Sequence, residues 1–315
     1  MQRNIVFDIA RAVCIIWIVC FWHMNGMIIF SQRFFDLSES PNVLYVTNGV
    51  LACFTFISGF FLSKKVIKTP KDIFNFYKKR FSRFYIPLLI TCLFFYIGGW
   101  LSTIQVGSTL CGFAQLLPPP YPKTVWYLSM LILFYILTPF ILFLSKTSYK
   151  IYTTVFIYVL ILMYHIFIQP VDERLLLYYW FYFIPFYCQL NKLSLLIIGI
   201  FSLCISLGLP ALLDKDFIMY DMIIRIGISM LILMLIFFIS WCIYRVNFMN
   251  KFLSLIAYSS MFAYLFHREI FVLFKFLCNT EFIHIYYVPL LWVFVFLFSY
   301  MAQKLYDNVL NKLTL

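Results

Sequence analysis

Charge is what this sequence has least of. Asp, Glu, Lys and Arg make up 11% of its 315 residues, against about 25% in a soluble globular domain. Hydrophobic side chains fill 64% of the chain, where about 45–50% is usual. No polar stretch is long enough for a soluble domain, since apolar runs follow one another from residue 5 to residue 306. Acids are scarcer than bases, 12 against 24. The excess does not read as a nucleic-acid surface, because the basic residues cluster in alternate loops, as orientation signals do. The nine cysteines are odd in number and hold no C-x-x-C pair, which argues against a disulfide framework or a zinc site. Most lie in apolar segments, where a thiol behaves as a small hydrophobe. The first apolar segment has a polar lead, Met1–Asn4, but no short core ending in small residues. It therefore reads as a span and not as a cleaved signal peptide.

What is present is an all-α, polytopic transmembrane helix bundle forming a single domain over 1–315. A helix needs about 20 apolar residues to cross the hydrocarbon core. About ten segments qualify: 5–30, 45–63, 84–102, 125–144, 150–168, 175–190, 193–212, 220–243, 254–278 and 284–306. Orientation follows from Lys and Arg. The stretch "KKVIKTPKDIFNFYKKRFSR" holds eight basic residues and one acid, Asp72. With that loop in the cytoplasm, basic residues favour the inside by 16 to 4, so both termini are expected to be cytoplasmic. The longest outside stretch, 103–124, contains "LLPPPYPK", whose prolines favour a stiff, extended connector.

Subtracting loop charges leaves Asp8, Arg11, Arg225, Arg268, Glu269 and Lys275 inside the predicted helices, joined by His23, His165 and His267. A charge near the bilayer centre costs at least about 2.5–3.5 kcal/mol on insertion scales, so such residues usually face a bundle interior and serve a function. Arg225 and Lys275 sit near predicted outer ends, where snorkelling explains them. Asp8 lies at the inner end, placed to cap the helix or pair with Arg11. His165, in "MYHIFIQP", reads as interfacial. Arg11, His23, His267, Arg268 and Glu269 resist such explanations. Arg11 lies about 9 Å inside the first helix and His23 about 18 Å further on. Bringing the first helix against the ninth would form a polar column running from the cytoplasm outwards.

The residues also carry a resemblance. "DIARAVCIIWIVCFWH", "GVLACFTFISGFFLSKK", "YKKRFSRFYIP", "VWYLSMLILFYILTPF" and "YSSMFAYLFHREIF" resemble, in order, segments of acyltransferase type 3, integral-membrane enzymes that acylate sugars of bacterial surface glycans. The third segment is similar to the family's R-x-x-R-x-x-x-P pattern, here Arg80, Arg83 and Pro87. One feature departs. The family separates the first-helix basic residue from its His by ten residues, whereas eleven lie between Arg11 and His23. At 100° per residue, a step of eleven returns to within about 20° of one face, and a step of twelve lands about 120° away. Either the two side chains serve different walls, or a π-bulge within 12–22 absorbs the extra residue. Such bulges are frequent at functional sites.

The resemblance implies a multi-pass protein of the bacterial cytoplasmic membrane that moves an acyl group, acetyl first of all, from acyl-CoA to a hydroxyl of a cell-surface or exopolysaccharide glycan. Acetyl-CoA is then a co-substrate, with no bound cofactor and no metal. The lipid bilayer, the acyl-CoA and the glycan acceptor are the expected partners, and nucleic acid is not. Hydroxyl attack on a thioester needs a base near neutral pH, which suits histidine. His23 is the first candidate, His267 the second, and Glu269 a third catalytic group. Residues two apart on a helix point in different directions, so Glu269 is not expected to orient His267. Guanidinium groups recognise phosphate in bidentate fashion, which makes Arg11, Arg80 and Arg83 the candidates for CoA. Arg268 and Trp126 are candidates for substrate binding, with the membrane-interface aromatic belt as the other reading of Trp126. Ser58 and Gly59 suit close helix packing. A transporter or flippase of a lipid-linked glycan is the rival reading. It should show an internal repeat, and no motif pair links 1–150 with 160–315.

Overall fold

The structure, a computed structural model, describes residues 4–23, 41–122, 125–143, 148–187, 220–279 and 283–312, together with 200, 202 and 204. Among these residues it is all-α, with ten α-helices. They are α1 (Ile5–Ile16), α2 (Pro41–Ser63), α3 (Pro70–Ile97), α4 (Thr103–Cys111) and α5 (Trp126–Phe143). The second half holds α6 (Ser148–Phe167), α7 (Glu173–Phe183), α8 (Tyr220–Tyr244), α9 (Asn247–Leu277) and α10 (Val288–Lys312). Among the described residues, seven helical stretches are long and apolar enough to cross a membrane.

Helix boundaries differ from the sequence expectation in two instructive places. The span expected at 84–102 belongs to a helix that starts at Pro70. Thr69 and Asp72 cap each other's backbone N–H groups there, and Pro70 occupies the first turn, where its missing donor costs nothing. From Pro70 onwards the basic stretch is therefore helical, while Lys64, Lys65 and Lys68 stay in the loop before it. The segment expected at 175–190 is an 11-residue helix followed by a 3₁₀ turn, Ile184–Phe186. Pro185 removes a donor and ends the regular ladder. At about 1.5 Å per residue, α7 alone falls short of the membrane thickness. The span expected at 193–212 lies outside the described residues.

The chain forms two compact units, one of 1–54 with 190–308 and one of 55–189 with 309–315. In the first, α1 packs along α9 and α8. Phe7, Ile9, Ala10, Ala12, Cys14 and Ile15 are all buried, so α1 is enclosed on most sides. Two alanines keep its surface shallow enough for neighbouring helices to approach. Gly49 on α2 serves the same end, since a Cβ there would lie 2.5 Å from Ile232. In the second unit the core is α5 with the aromatic helix α7, whose Tyr178, Tyr179, Tyr182 and Phe183 are fully buried. Gly59 lets α2 reach the backbone of α7, because a Cβ there would stand 1.9 Å from the Tyr182 carbonyl oxygen.

Candidate active site

The site begins with how α1 ends. After Ile16 the helix widens into a π-helical stretch, Trp17–Trp22, closed by the His23 N–H donating to the carbonyl of Ile18, five residues back, at 3.0 Å. Absorbing one residue in a wide turn removes about 100° of rotation. The twelve-position step from Arg11 then behaves as a step of eleven, so His23 returns towards the side that Arg11 faces. The π-bulge expected within 12–22 is present. Trp17 fixes it in place: its indole Nε1 donates to the Thr47 hydroxyl of α2 at 3.1 Å, and its ring packs on Phe21 at 4.6 Å.

α9 supplies the second histidine. His267 is fully buried, and its ring lies nearly parallel to that of His23, with centroids 4.6 Å apart. His267 Nε2 and His23 Nδ1 are 2.6 Å apart. His267 Nδ1 lies 2.8 Å from the carbonyl oxygen of Ala263, one turn earlier. That second contact orders the whole pair. A carbonyl only accepts, so His267 Nδ1 carries a proton. In the neutral pair, His267 Nε2 is then an acceptor, and His23 Nδ1–H donates to it. The remaining nitrogen, Nε2 of half-buried His23, keeps its lone pair. A chain of two hydrogen bonds thus leaves one basic atom at its end. Arg268, the next residue on α9, acts electrostatically on both imidazoles, while Glu269 is buried at 7% exposure. The orienting partner of His267 is the Ala263 carbonyl and not Glu269, as the angular separation of 267 and 269 requires. Sequence reasoning missed Ala263, because every helical residue has a carbonyl four positions back and none is marked.

Arg11 is half-buried on α1, three residues after buried Asp8. Asp8 lies in the first turn of α1, where a carboxylate complements the helix dipole. The structure thus brings His23, His267 and Arg268 together in the first unit.

Other candidates belong to the second unit. Arg80 is half-buried, with its guanidinium 5.9 Å from the centre of the Tyr135 ring, and Arg83 on the next turn is exposed. Trp126 is 7% exposed. The Arg174 guanidinium lies 4.0 Å from its ring centre and is itself held by Asp172, 2.6 Å away. Nothing in the sequence singled out Arg174 for this contact. His165 accepts a hydrogen bond from the Val171 N–H at 3.0 Å, so its Nδ1 is engaged in holding a turn.

Comparison with known proteins adds one finding. A family model described as an acyltransferase domain matches residues 4–302. No curated protein and no solved structure matches the chain. The match runs from the residue before α1 almost to the end of the chain, across both histidines and the π turn, and the protein therefore belongs to the acyltransferase type 3 family of membrane acyltransferases.

Proposed function

We propose that this acyltransferase carries an acyl group, acetyl first of all, from acyl-CoA on the cytoplasmic side to a hydroxyl of a surface or secreted glycan, in the bacterial cytoplasmic membrane. The observation that carries the reading is the ordered histidine pair, with His267 held by Ala263 and His23 held by His267. In this mechanism the acceptor hydroxyl presents its proton to Nε2 of His23 as its oxygen attacks the thioester carbonyl carbon. The new C–O bond forms and the carbonyl oxygen takes up negative charge, beside the Arg268 guanidinium. The C–S bond then breaks, and the departing thiolate takes the proton back from His23. His267 does not touch the reactants. It holds the His23 ring and accepts from Nδ1–H, which stabilises the imidazolium that forms between the two steps. Base catalysis of this kind contributes typically about 10²–10⁴-fold.

Arg11 is assigned to the donor on the same α-helix as His23, and Arg80 and Arg83 on the family resemblance of their spacing. Glu269 remains a candidate for a proton-handling role near the pair. Trp126 serves an acceptor sugar only where Arg174 swings off its ring. The test is transfer of label from [acetyl-¹⁴C]CoA to a surface glycan by the purified protein in lipid nanodiscs. Acylated glycan is the expected product, absent with His23→Ala. Glycan movement across a bilayer without label would favour the flippase instead.

A further inference from the structure

A second feature of the first unit lies away from the histidines. A cavity of about 710 Å³ opens among the first turns of α9, the later turns of α10 and the start of α1. Its charge comes from Lys251 on α9 and Lys304 on α10, both exposed. Neither has an ion-pair or hydrogen-bonding partner among the described residues. Ser254 and Tyr300 also line it, while Ile5 and Leu255 give it an apolar wall. Tyr258 also lines it, with its hydroxyl donating to the Asp307 carboxylate. Gln303 bonds to the other oxygen of Asp307 at 3.0 Å. That acid is thus held on its own neighbours. Asn250 contributes an amide whose nitrogen donates to the Tyr244 carbonyl at 2.8 Å, while its oxygen is buried without a protein partner among the described residues. This oxygen is an acceptor in need of a hydroxyl or an amine.

We propose that this cavity binds a phosphate-bearing ligand with an apolar arm, Lys251 and Lys304 holding its phosphate. Two lysines on different helices line one hollow, neither with an acidic partner among the described residues, so their charge there favours an anion. Their phosphate contacts are charge-assisted hydrogen bonds, the strong kind. Two sources present this chemistry: the nucleotide end of an acyl-CoA, which rests on the function proposed above, and the head of an anionic phospholipid. The spacing along α9 suits the first. Tyr258 precedes His267 by nine residues and Lys251 precedes it by sixteen, which is about 14 Å and about 24 Å along the axis. A donor whose phosphates and thioester occupy opposite ends of a long arm spans such a distance. The charge asymmetry of the loops assigns Lys251 and Lys304 to the cytoplasmic side, where an acyl-CoA resides.

The test uses the full chain in phosphatidylcholine nanodiscs, with CoA as calorimetric probe and melting temperature as the check on folding. The paired change Lys251→Gln and Lys304→Gln should weaken CoA binding by about tenfold or more, the equivalent of about 1.4 kcal/mol, while Lys251→Arg with Lys304→Arg stays near the parent. Pantetheine, which lacks the phosphates, should bind parent and Gln variant alike. If CoA binding is unchanged but added phosphatidylglycerol raises the melting temperature of the parent and not of the Gln variant, the phosphate is the lipid's. If neither readout responds to the lysines, the proposal is overturned. CoA binding is read without turnover, so an inactive protein that still binds CoA through these lysines would sink the catalytic reading and spare this one.

Discussion

Nε2 of His267 meets Nδ1 of His23 at 2.6 Å, although 244 positions of sequence separate them. The Ala263 carbonyl at the far side of His267 gives that contact a direction, so the pair has one basic end, and it is on His23. A protonated or reversed arrangement would put a hydrogen where, in the proposed mechanism, the acceptor hydroxyl delivers its own. The chemical consequences of the pair are open to measurement.

Replacing His23 by Ala removes the proposed base. Acyl transfer should fall by about 10²–10⁴-fold with protein abundance in the membrane little changed. Normal transfer by the variant would take His23 out of the reaction.

In the proposed mechanism His267 acts through His23, so its loss has a different signature. With His267→Gln, kcat should drop while KM for both substrates stays within about twofold, as expected for a group that touches neither substrate and whose contact with His23 strengthens in the transition state. The parent should lose activity as pH falls, because protonated His23 cannot accept from the hydroxyl. This acid limb should shift in the Gln variant. An unshifted pH–rate profile would reduce His267 to packing.

The wide turn offers a test of register. Deleting Cys20, one residue inside Trp17–Trp22, leaves a step of eleven from the arginine to the histidine, which a plain α-helix returns to within about 20° of one face. Activity should survive in part. Inserting one alanine after Phe21 turns the histidine by about 100° instead, and activity should vanish. Equal loss in both variants would mean that the π turn does more than restore direction.

Gly59→Ala places a methyl 1.9 Å from the Tyr182 carbonyl oxygen, with backbone on both sides and nothing flexible to yield. Overpacking of this kind costs typically about 1–3 kcal/mol. A lowered melting temperature in detergent and reduced abundance are expected. An unchanged melting temperature would show that α2 and α7 can separate freely.

Thr69→Ala removes one half of the reciprocal cap on α3. A loss of about 1 kcal/mol of stability is expected, and amide exchange at Ile73 and its neighbours should quicken. Unaltered exchange would mean that packing, and not the cap, holds the start of α3.

Much of this molecule was legible in advance because a membrane leaves a chain few options. Backbone groups in hydrocarbon must bond within a helix, so runs such as Trp126–Phe143 could be read almost to the residue. Where the limit on length no longer applies, the reading failed: α3 begins inside the basic stretch, because Thr69, Pro70 and Asp72 start a helix in any solvent. α7 stops early because Pro185 interrupts the backbone ladder. The π turn was one of two alternatives that the family resemblance raised, since against the family's spacing one residue too many lies between Arg11 and His23, and the structure decided for it.

The sequence by itself determined that the protein is helical and suited to a bilayer, and it named the few polar side chains whose burial needs a reason. Tertiary structure alone decided which of them meet. Hydropathy fixes the length of a helix but not its neighbour, its rotation or the atom at which two rings touch. Those follow from the close fit of α1 against α9, a matter of shape summed over many side chains that no local pattern of residues records.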